Sequence, residues 1–290
     1  MDLATFAVQL LNGIQYGLVL FLVASGLTLV FGILGVINLA HGAFYMLGAY
    51  LAYWISLKTG SFLVALVGGV AIAFVVGLLL EGLFIKRLYG RDHLSQVLLS
   101  YGLILVLEEV RLILFGKDVH AVEAPAFLSG SFKLTNVLSY QNYRVAICVV
   151  GLAATAAIFL VIAKTRVGMI MRAAAENRDM TRALGIRSDR VNQMVFAVGI
   201  ALAALGGILV SPLSTVYPGM GDQMLILSFV VVVLGGIGSV TGAALGALII
   251  GLTDTFGQVL FPSAASISIY VVMAAVLLWR PQGILGARDV

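Results

Sequence analysis

Amide and ionisable side chains inside long apolar segments are the residues of this chain whose chemistry could serve a function, because burying them is costly unless they are paired. Asn38 and His41 follow the glycines at positions 32 and 35. Two roles are open for this pair: hydrogen bonding to backbone groups where the glycines interrupt a helix, or lining and gating a polar path. A metal site at His41 is not expected, because no cysteine or carboxylate stands at helical spacing from it.

Three charged residues occupy another apolar segment, 95–115. Glu108 and Arg111 are three residues apart, so they share a helical face on which they can neutralise each other. Glu109 is left without a partner of opposite charge and is therefore a candidate carboxylate of a polar path. Asp254 and Gln258 are four residues apart and also share a face, where we expect solvent to hydrate them.

Sequence motifs for catalysis and nucleotide binding are missing from the chain. The patterns G-x-x-x-x-G-K-[ST], H-E-x-x-H and G-x-S-x-G do not occur, so neither a phosphate-binding loop nor a zinc or serine hydrolase site is predicted. Cys148 is the single cysteine, which excludes a disulfide framework. We therefore expect no catalytic residues, no metal and no cofactor in this chain.

The composition is that of a membrane protein. A soluble chain carries about 25% charged residues, whereas this chain of 290 residues carries 10% and is 61% hydrophobic. Runs of apolar residues long enough to cross a bilayer follow one another. We predict nine spans, at 6–31, 36–56, 62–85, 95–115, 145–163, 191–212, 223–237, 241–259 and 267–280.

The predicted fold is accordingly all-α: one transmembrane domain over 1–290, built as a helical bundle of about 8–10 spans, with helices that glycine interrupts. Lys and Arg concentrate in the loop 86–94, the loop 164–190 and the tail from Arg280, which together hold 12 of the 17 cations. The positive-inside rule places these segments in the cytoplasm. The C-terminus (281–290) is then cytoplasmic and, with nine crossings, the N-terminus is outside. Because the cations flank membrane spans, the net charge of +4 does not indicate nucleic-acid binding.

Two loops stand out by length. The segment Met169 to Leu184 predicts an amphipathic helix within the cationic loop 164–190, because it contains three consecutive alanines and is followed by Gly185. Such a helix either lies on anionic lipid headgroups or docks a cytoplasmic partner. The segment 116–143 is the sizeable external region, a loop that could contain a short strand pair or a surface helix.

Clustered glycines recur in two apolar segments, 31–53 and 234–254. Glycine interruptions at matching places of two halves are typical of discontinuous helices around a central path, and small residues also allow close helix packing. We expect the path to be lined from 31–48 and 234–246. The candidate path and gate residues are Asn38, His41, Gly42, Gly235, Gly236 and Gly238.

Three separated motifs give the chain a resemblance, over essentially its whole length, to the integral-membrane subunit of branched-chain amino acid ABC importers, the LivH-type permease family. The first motif is LNGIQYGLVLFLVASGLTLVFGILGVINLAHGAFYMLGAY, the second TRVGMIMRAAAENRDMTRALGI and the third VVVLGGIGSVTGAALGALIIG. The segment RPQGILG near the C-terminus also resembles the family.

The resemblance implies a passive conduit in the bacterial inner membrane. Its partners would be a second homologous permease (a relative or a copy of this chain), two cytoplasmic ATPases that bind ATP and Mg, an extracytoplasmic substrate-binding protein and membrane lipids. It also implies that the amphipathic helix docks on the ATPase. The residues expected to couple to the ATPase are Arg172, Glu176, Asn177, Arg178 and Gly185.

The substrate implied by the resemblance is a branched-chain amino acid, although similar permeases carry urea, short amides and other small acids. An ion-coupled secondary transporter is the alternative, since Glu81, Glu109 and Asp254 are carboxylates that could serve ion coupling. Dependence on a separate ATPase discriminates the two.

Overall fold

The structure, a computed structural model, describes residues 3–133, 139–176, 180–181, 184 and 188–286. Asn177, Arg178 and Gly185, three of the predicted coupling residues, lie outside the described residues. Ten α-helices have their bounds within the described part: α1 Leu3–Leu29, α2 His41–Thr59, α3 Phe62–Leu83, α4 His93–Phe115, α5 Asn142–Lys164, α6 Arg166–Glu176, α7 Ser188–Val210, α8 Met220–Gly235, α9 Val240–Leu260 and α10 Ala265–Trp279.

The predicted helical membrane fold is confirmed. Among the described residues, six helical segments are long and apolar enough to cross a membrane: Ala4–Leu34, Phe62–Leu83, Asn142–Lys164, Asp189–Val210, Val240–Leu260 and Pro262–Trp279. The other three predicted spans coincide with α2, α4 and α8, of which α8 is apolar but only 16 residues long. The segment 116–143 contains a short antiparallel pair, β1 (Ser131–Lys133) and β2 (Ser139–Gln141).

Side-chain caps and left-handed glycines set several helix ends. Asp92 accepts a hydrogen bond from the backbone N–H of Ser95 at 3.0 Å, which satisfies a free donor in the first turn of α4. Ser239 does the same for Gly242 at the start of α9, also at 3.0 Å. Gly60 ends α2 with φ of 65°, a conformation that residues with a Cβ rarely adopt.

Helix α1 forms the centre of the bundle and packs against α5, α7, α8 and α9. Its side chains from Val19 to Ala24 are buried. Glycines bring the backbones close: a Cβ at Gly17 would lie 3.0 Å from the Ala247 carbonyl oxygen of α9. Small residues at such crossings are how helices pack in lipid, where no hydrophobic effect draws them together.

Helix α1 ends in a π-helical turn, Val30–Leu34, and Gly35 follows it with φ of 63°. Residues 36–38 have no regular structure, a turn follows, and α2 begins only at His41. The predicted span 36–56 is therefore wrong at its start. Its first residues are apolar, but they form a re-entrant turn, which returns the chain to the level of Val23, where His41 packs.

The cationic segments lie together at one end of the bundle. Lys86, in the turn after α3, pairs with Asp189 at the start of α7 at 2.9 Å. Gly32 near the end of α1 approaches Gly238 beyond α8, and the C-terminal segment reaches the same turn. We call this the cationic end of the bundle. The N-terminal part of α1, the segment 116–133 and the end of α9 lie at the opposite end, as contacts between Gly13 and Leu252 and between His120 and Val216 show.

Candidate functional site

The re-entrant turn holds Asn38 and His41, both fully buried. The Oδ1 of Asn38 accepts a hydrogen bond from the N–H of Ala40 at 3.1 Å. The Nε2 of His41 lies 2.8 Å from the carbonyl oxygen of Val23 and must be the donor, because a carbonyl oxygen only accepts. Gln96 of α4 supplies an acceptor, 3.1 Å from the N–H of Ile37. Polar side chains thus satisfy the backbone that the turn exposes.

Each of the two residues also keeps a buried polar atom without a hydrogen-bond partner, Nδ2 of Asn38 and Nδ1 of His41. Buried polar atoms without partners are rare, and a functional role or a bound water is among the usual reasons for them. The structural role of Asn38 and His41 is therefore visible in the structure, while their role in gating stays a prediction.

The first turns of two helices meet beside this turn. Helices α2 and α8 touch near their first turns, where a Cβ at Gly221 would lie 2.6 Å from the carbonyl oxygen of Gly42. No side chain caps either helix. The contact is backbone against backbone, so α2 and α8 cannot move closer and nothing larger than glycine fits between them.

The other predicted path glycines lie at the cationic end. Gly235 ends α8, and Gly236 and Gly238 form the turn before α9 with φ of 100° and 79°. The C-terminal segment is paired with this turn: the N–H of Ile284 donates to the carbonyl of Leu234 at 2.9 Å. The two glycine-rich segments are therefore not equivalent, since the first forms a turn inside the bundle and the second a turn at its end.

The charged residues near the end of α4 form one predicted ion pair and leave one carboxylate exposed. Arg111 and Glu108 form an ion pair at 3.0 Å, which confirms that prediction. Glu109 lies on the exposed face of α4. Glu81 is buried near the cationic end and accepts a hydrogen bond from the hydroxyl of Tyr89 at 2.8 Å.

Helix α6, Arg166–Glu176, occupies the start of the predicted amphipathic helix and begins three residues earlier than expected. One face is buried, through Gly168, Met171 and Ala174, and the helix packs against α5 and the π-helical turn that ends α1. Arg172 is exposed, and its guanidinium donates to the carbonyl oxygen of Ile162. Glu176 is the last residue of α6.

A cavity of about 900 Å³ lies near the opposite end of the bundle, between α1, α5, α8, α9 and α10. Its volume is within the range of small-molecule sites, roughly 300–1,000 Å³. None of the predicted path or gate residues lines it. The principal polar residues that do are Gln9, Asn12, Gln15, Arg144, Gln223 and Asp254.

The polar groups of the cavity hold one another in place. Arg144 at the start of α5 donates to Oε1 of Gln15 at 3.0 Å and to Oδ1 of Asn12 at 3.3 Å, both on α1. Gln258 donates to Asp254 at 2.8 Å on α9, so these two do share a face as predicted. Both line the cavity, and Gln258 is also exposed, which agrees with the expected hydration of this pair.

Sequence reasoning missed most of this cavity, although a signal was present. Gln9, Asn12 and Tyr16 recur at helical spacing within an otherwise apolar span, which indicates a polar stripe on one face of α1. Arg144 stands just before the predicted span 145–163, a position that indicates a loop residue. Within the described residues, no group of three His, Cys, Asp or Glu side chains stands close enough to hold a metal.

A polytopic helical bundle with a re-entrant turn and a polar cavity is the architecture of a membrane transport component. Residues 9–279 match the model of the family described as branched-chain amino acid transport system / permease component, and the chain belongs to that family. No solved structure matches the chain.

Individual relatives agree with the family. The chain is 32% identical to the high-affinity branched-chain amino acid transport system permease protein BraD of Pseudomonas aeruginosa, over 97% of this chain and 96% of BraD. It is 31% identical to the permease protein LivH of the corresponding Escherichia coli system, over 98% and 97%. The E. coli permease protein LivM matches at 25% identity, over 90% of this chain and 66% of LivM.

These matches confirm the resemblance inferred from the three motifs. The chain is a multi-pass permease component of a branched-chain amino acid ABC transport system, and as a transport subunit it is not an enzyme. The family match favours this function over an ion-coupled secondary carrier.

Proposed function

We propose that this chain forms one half of the substrate path of an ABC importer that carries branched-chain amino acids across a bacterial inner membrane. The observation that carries the proposal is the arrangement of the two ends: a polar cavity lies at the end opposite the cationic segments. Substrate enters the cavity from outside, and the ATPases act at the cationic end.

The orientation follows from charge. Twelve of the 17 cations belong to the loops 86–94 and 164–190 and the tail from Arg280. The described residues of these segments gather at the cationic end, as the ion pair between Lys86 and Asp189 illustrates. The positive-inside rule makes that end cytoplasmic. The C-terminus is then in the cytoplasm, and the cavity and the segment 116–143 face outward, where a substrate-binding protein would dock.

Coupling to the ATPase starts at α6. Its buried face packs on the π-helical turn Val30–Leu34, which continues directly into the re-entrant turn of Asn38 and His41. A π-helical turn is a common site of functional rearrangement in helices. If an ATPase moved α6, the few residues from Val30 to His41 would therefore transmit the movement to the centre of the bundle. Arg172, Glu176, Asn177, Arg178 and Gly185 are the proposed contacts to the ATPase.

The gate in this proposal is the meeting point of α2 and α8. Gly42 and Gly221 hold the two helices in backbone contact, and Gln223 and Leu227, within the next two turns of α8, line the cavity. Movement of α8 away from α2 would therefore change the cavity wall that α8 provides. Asn38 and His41, each with an unpaired polar atom, lie beside the contact and can take new partners as it opens.

The second permease is proposed to be a homologue of this chain. The chain matches permease proteins named LivH and LivM from one organism, and these two names belong to the same transport system in E. coli. Since the identity to LivH is the higher, this chain would take the LivH position beside a LivM-like partner.

Co-purification tests the assembly. The chain is tagged, solubilised from its native membrane in mild detergent, and the accompanying proteins are identified by mass spectrometry. We expect two ATPase chains and one related permease. A chain that remains alone after gentle cross-linking, and that moves leucine in liposomes with an ion gradient as the sole energy source, would overturn the proposal.

A further inference from the structure

The cavity contains one cation and one anion on separate walls. Arg144 projects from the start of α5 and Asp254 from α9, and they are the only charged residues among those that line it within the described part of the chain. An unpaired charge inside the bundle of a membrane protein is energetically costly. Both side chains are therefore candidates to bind a charged ligand or a counter-ion.

Neither charge is neutralised by the other. Within the described residues, no ion pair joins them, and the hydrogen bonds of Arg144 go to the neutral amides of Asn12 and Gln15. A guanidinium has five N–H donors, so donors remain for an anion. Asp254 takes a hydrogen bond from Gln258 on Oδ2, which leaves Oδ1 for a cation.

The amide hydrogen bonds also orient Arg144. Asn12 and Gln15 are on α1, the rigid centre of the bundle, and Gln15 is almost fully buried. A planar guanidinium that is held in this way is preorganised for a carboxylate, which it can bind through two parallel hydrogen bonds. Apolar side chains, among them Leu213, Ile226 and Ile269, complete the cavity.

One cationic group, one anionic group and an apolar wall are complementary to a zwitterion with an aliphatic side chain. We propose that Arg144 binds the α-carboxylate and Asp254 the α-ammonium of an aliphatic amino acid, each directly or through one bridging water. This inference rests on the proposed function and extends it, because the permease itself then selects amino acids and rejects uncharged solutes such as urea.

Binding of three related compounds tests the two contacts separately. The complete importer, purified from native membranes and placed in nanodiscs without its binding protein, is titrated with leucine, leucinamide and 4-methylpentanoate by saturation-transfer NMR. Leucinamide lacks the carboxylate, and 4-methylpentanoate lacks the ammonium group. A charged hydrogen bond lost in such a site corresponds to about tenfold weaker binding or more, so both analogues bind the wild type more weakly than leucine.

The variants give the decisive comparison. Arg144→Gln weakens leucine and 4-methylpentanoate by about tenfold and leaves leucinamide unchanged, while Asp254→Asn weakens leucine and leucinamide and leaves 4-methylpentanoate unchanged. Asp254→Glu keeps the charge and retains most of the binding, while Arg144→Lys keeps the charge but loses the planar fork, so its leucine binding falls between that of the wild type and that of Arg144→Gln. Lys117→Gln and Asp222→Asn remove exposed charges outside the cavity and bind all three compounds as the wild type does.

Two failures are distinguishable. If the wild type takes up leucine but Arg144→Gln and Asp254→Asn leave binding unchanged, or weaken all three compounds equally, the assignment of Arg144 and Asp254 is wrong and the proposed function stands. If the wild-type importer neither binds nor transports leucine but carries an uncharged solute, the proposed substrate class is wrong as well.

Discussion

The imidazole of His41 is tied to the main chain of α1, with Nε2 2.8 Å from the carbonyl oxygen of Val23. The bond fixes the first residue of α2 to the central helix, at the level where α2, α7 and α8 converge. The bond also holds His41 at the end of the re-entrant turn. This turn directly follows the π-helical turn Val30–Leu34, against which α6 packs.

Replacing His41 or Asn38 by Leu removes the polar contacts of the re-entrant turn. A buried hydrogen bond contributes about 0.5–1.5 kcal/mol to stability, so each variant should still fold. We expect leucine uptake in native cells to fall more than the amount of protein in the membrane, as measured by quantitative blotting. Equal losses of uptake and protein would show that the two residues serve the fold alone.

Gly42→Ala should destabilise the bundle because the new methyl group meets the backbone of Gly221. Overpacking of this kind costs about 1–3 kcal/mol, seen as a lower thermal unfolding temperature of the purified permease.

Gly102→Ala on α4 is the matched control for Gly42→Ala. Outside the helix backbone next to it, no atom of the described residues lies within 4 Å of a Cβ at Gly102, so alanine there should be neutral or should stabilise the helix by up to about 1 kcal/mol. Similar unfolding temperatures for the two variants would contradict the close contact between α2 and α8.

The double change Glu176→Lys with Arg178→Glu inverts charge on the proposed ATPase contact. Like-charge contacts at an interface cost several kcal/mol, so substrate-stimulated ATP hydrolysis and uptake should both fall by about tenfold or more, with normal membrane insertion. Lys58→Glu, exposed near the end of α2 at the opposite end of the bundle and outside the segment 116–143, should leave both rates at the wild-type level. Unchanged hydrolysis and uptake in the double variant would remove the loop 164–190 from the coupling mechanism.

Cysteine labelling checks the orientation. In a Cys148→Ser background, Lys117→Cys should react with a membrane-impermeant maleimide in intact spheroplasts. Arg91→Cys, exposed at the cationic end, should react only after the membrane is permeabilised. The reverse pattern would place the cavity on the cytoplasmic side and would make the importer direction untenable for this geometry.

The spans were predictable from the sequence because long apolar runs have few alternatives in a bilayer. The ion pair of Glu108 and Arg111 was predictable for a similar reason, since a spacing of three fixes a shared helical face. The re-entrant turn was placed inside a span, because Val36 and Ile37 are as apolar as the helices around them. Local composition does not report that the chain reverses there.

The cavity could not be predicted from local sequence, because the residues that line it are far apart along the chain. Arg144 meets Asn12 and Gln15 across more than a hundred residues, and Asp254 joins the same cavity from a third helix. Each residue alone is an ordinary polar group of its helix. The function emerges from tertiary packing, and only the spacing of Gln9, Asn12 and Tyr16 was visible in advance.

The pairing between the turn after α8 and the segment near residue 284 has a consequence for biogenesis. The carbonyls of Leu234 and Gly235 accept hydrogen bonds from Ile284 and Leu285, at 2.9 and 3.0 Å. A nascent chain can make these bonds only after α9 and α10 have been synthesised and inserted. Until then the end of α8 has unsatisfied carbonyl groups, so this helix end is completed only when the C-terminal segment docks.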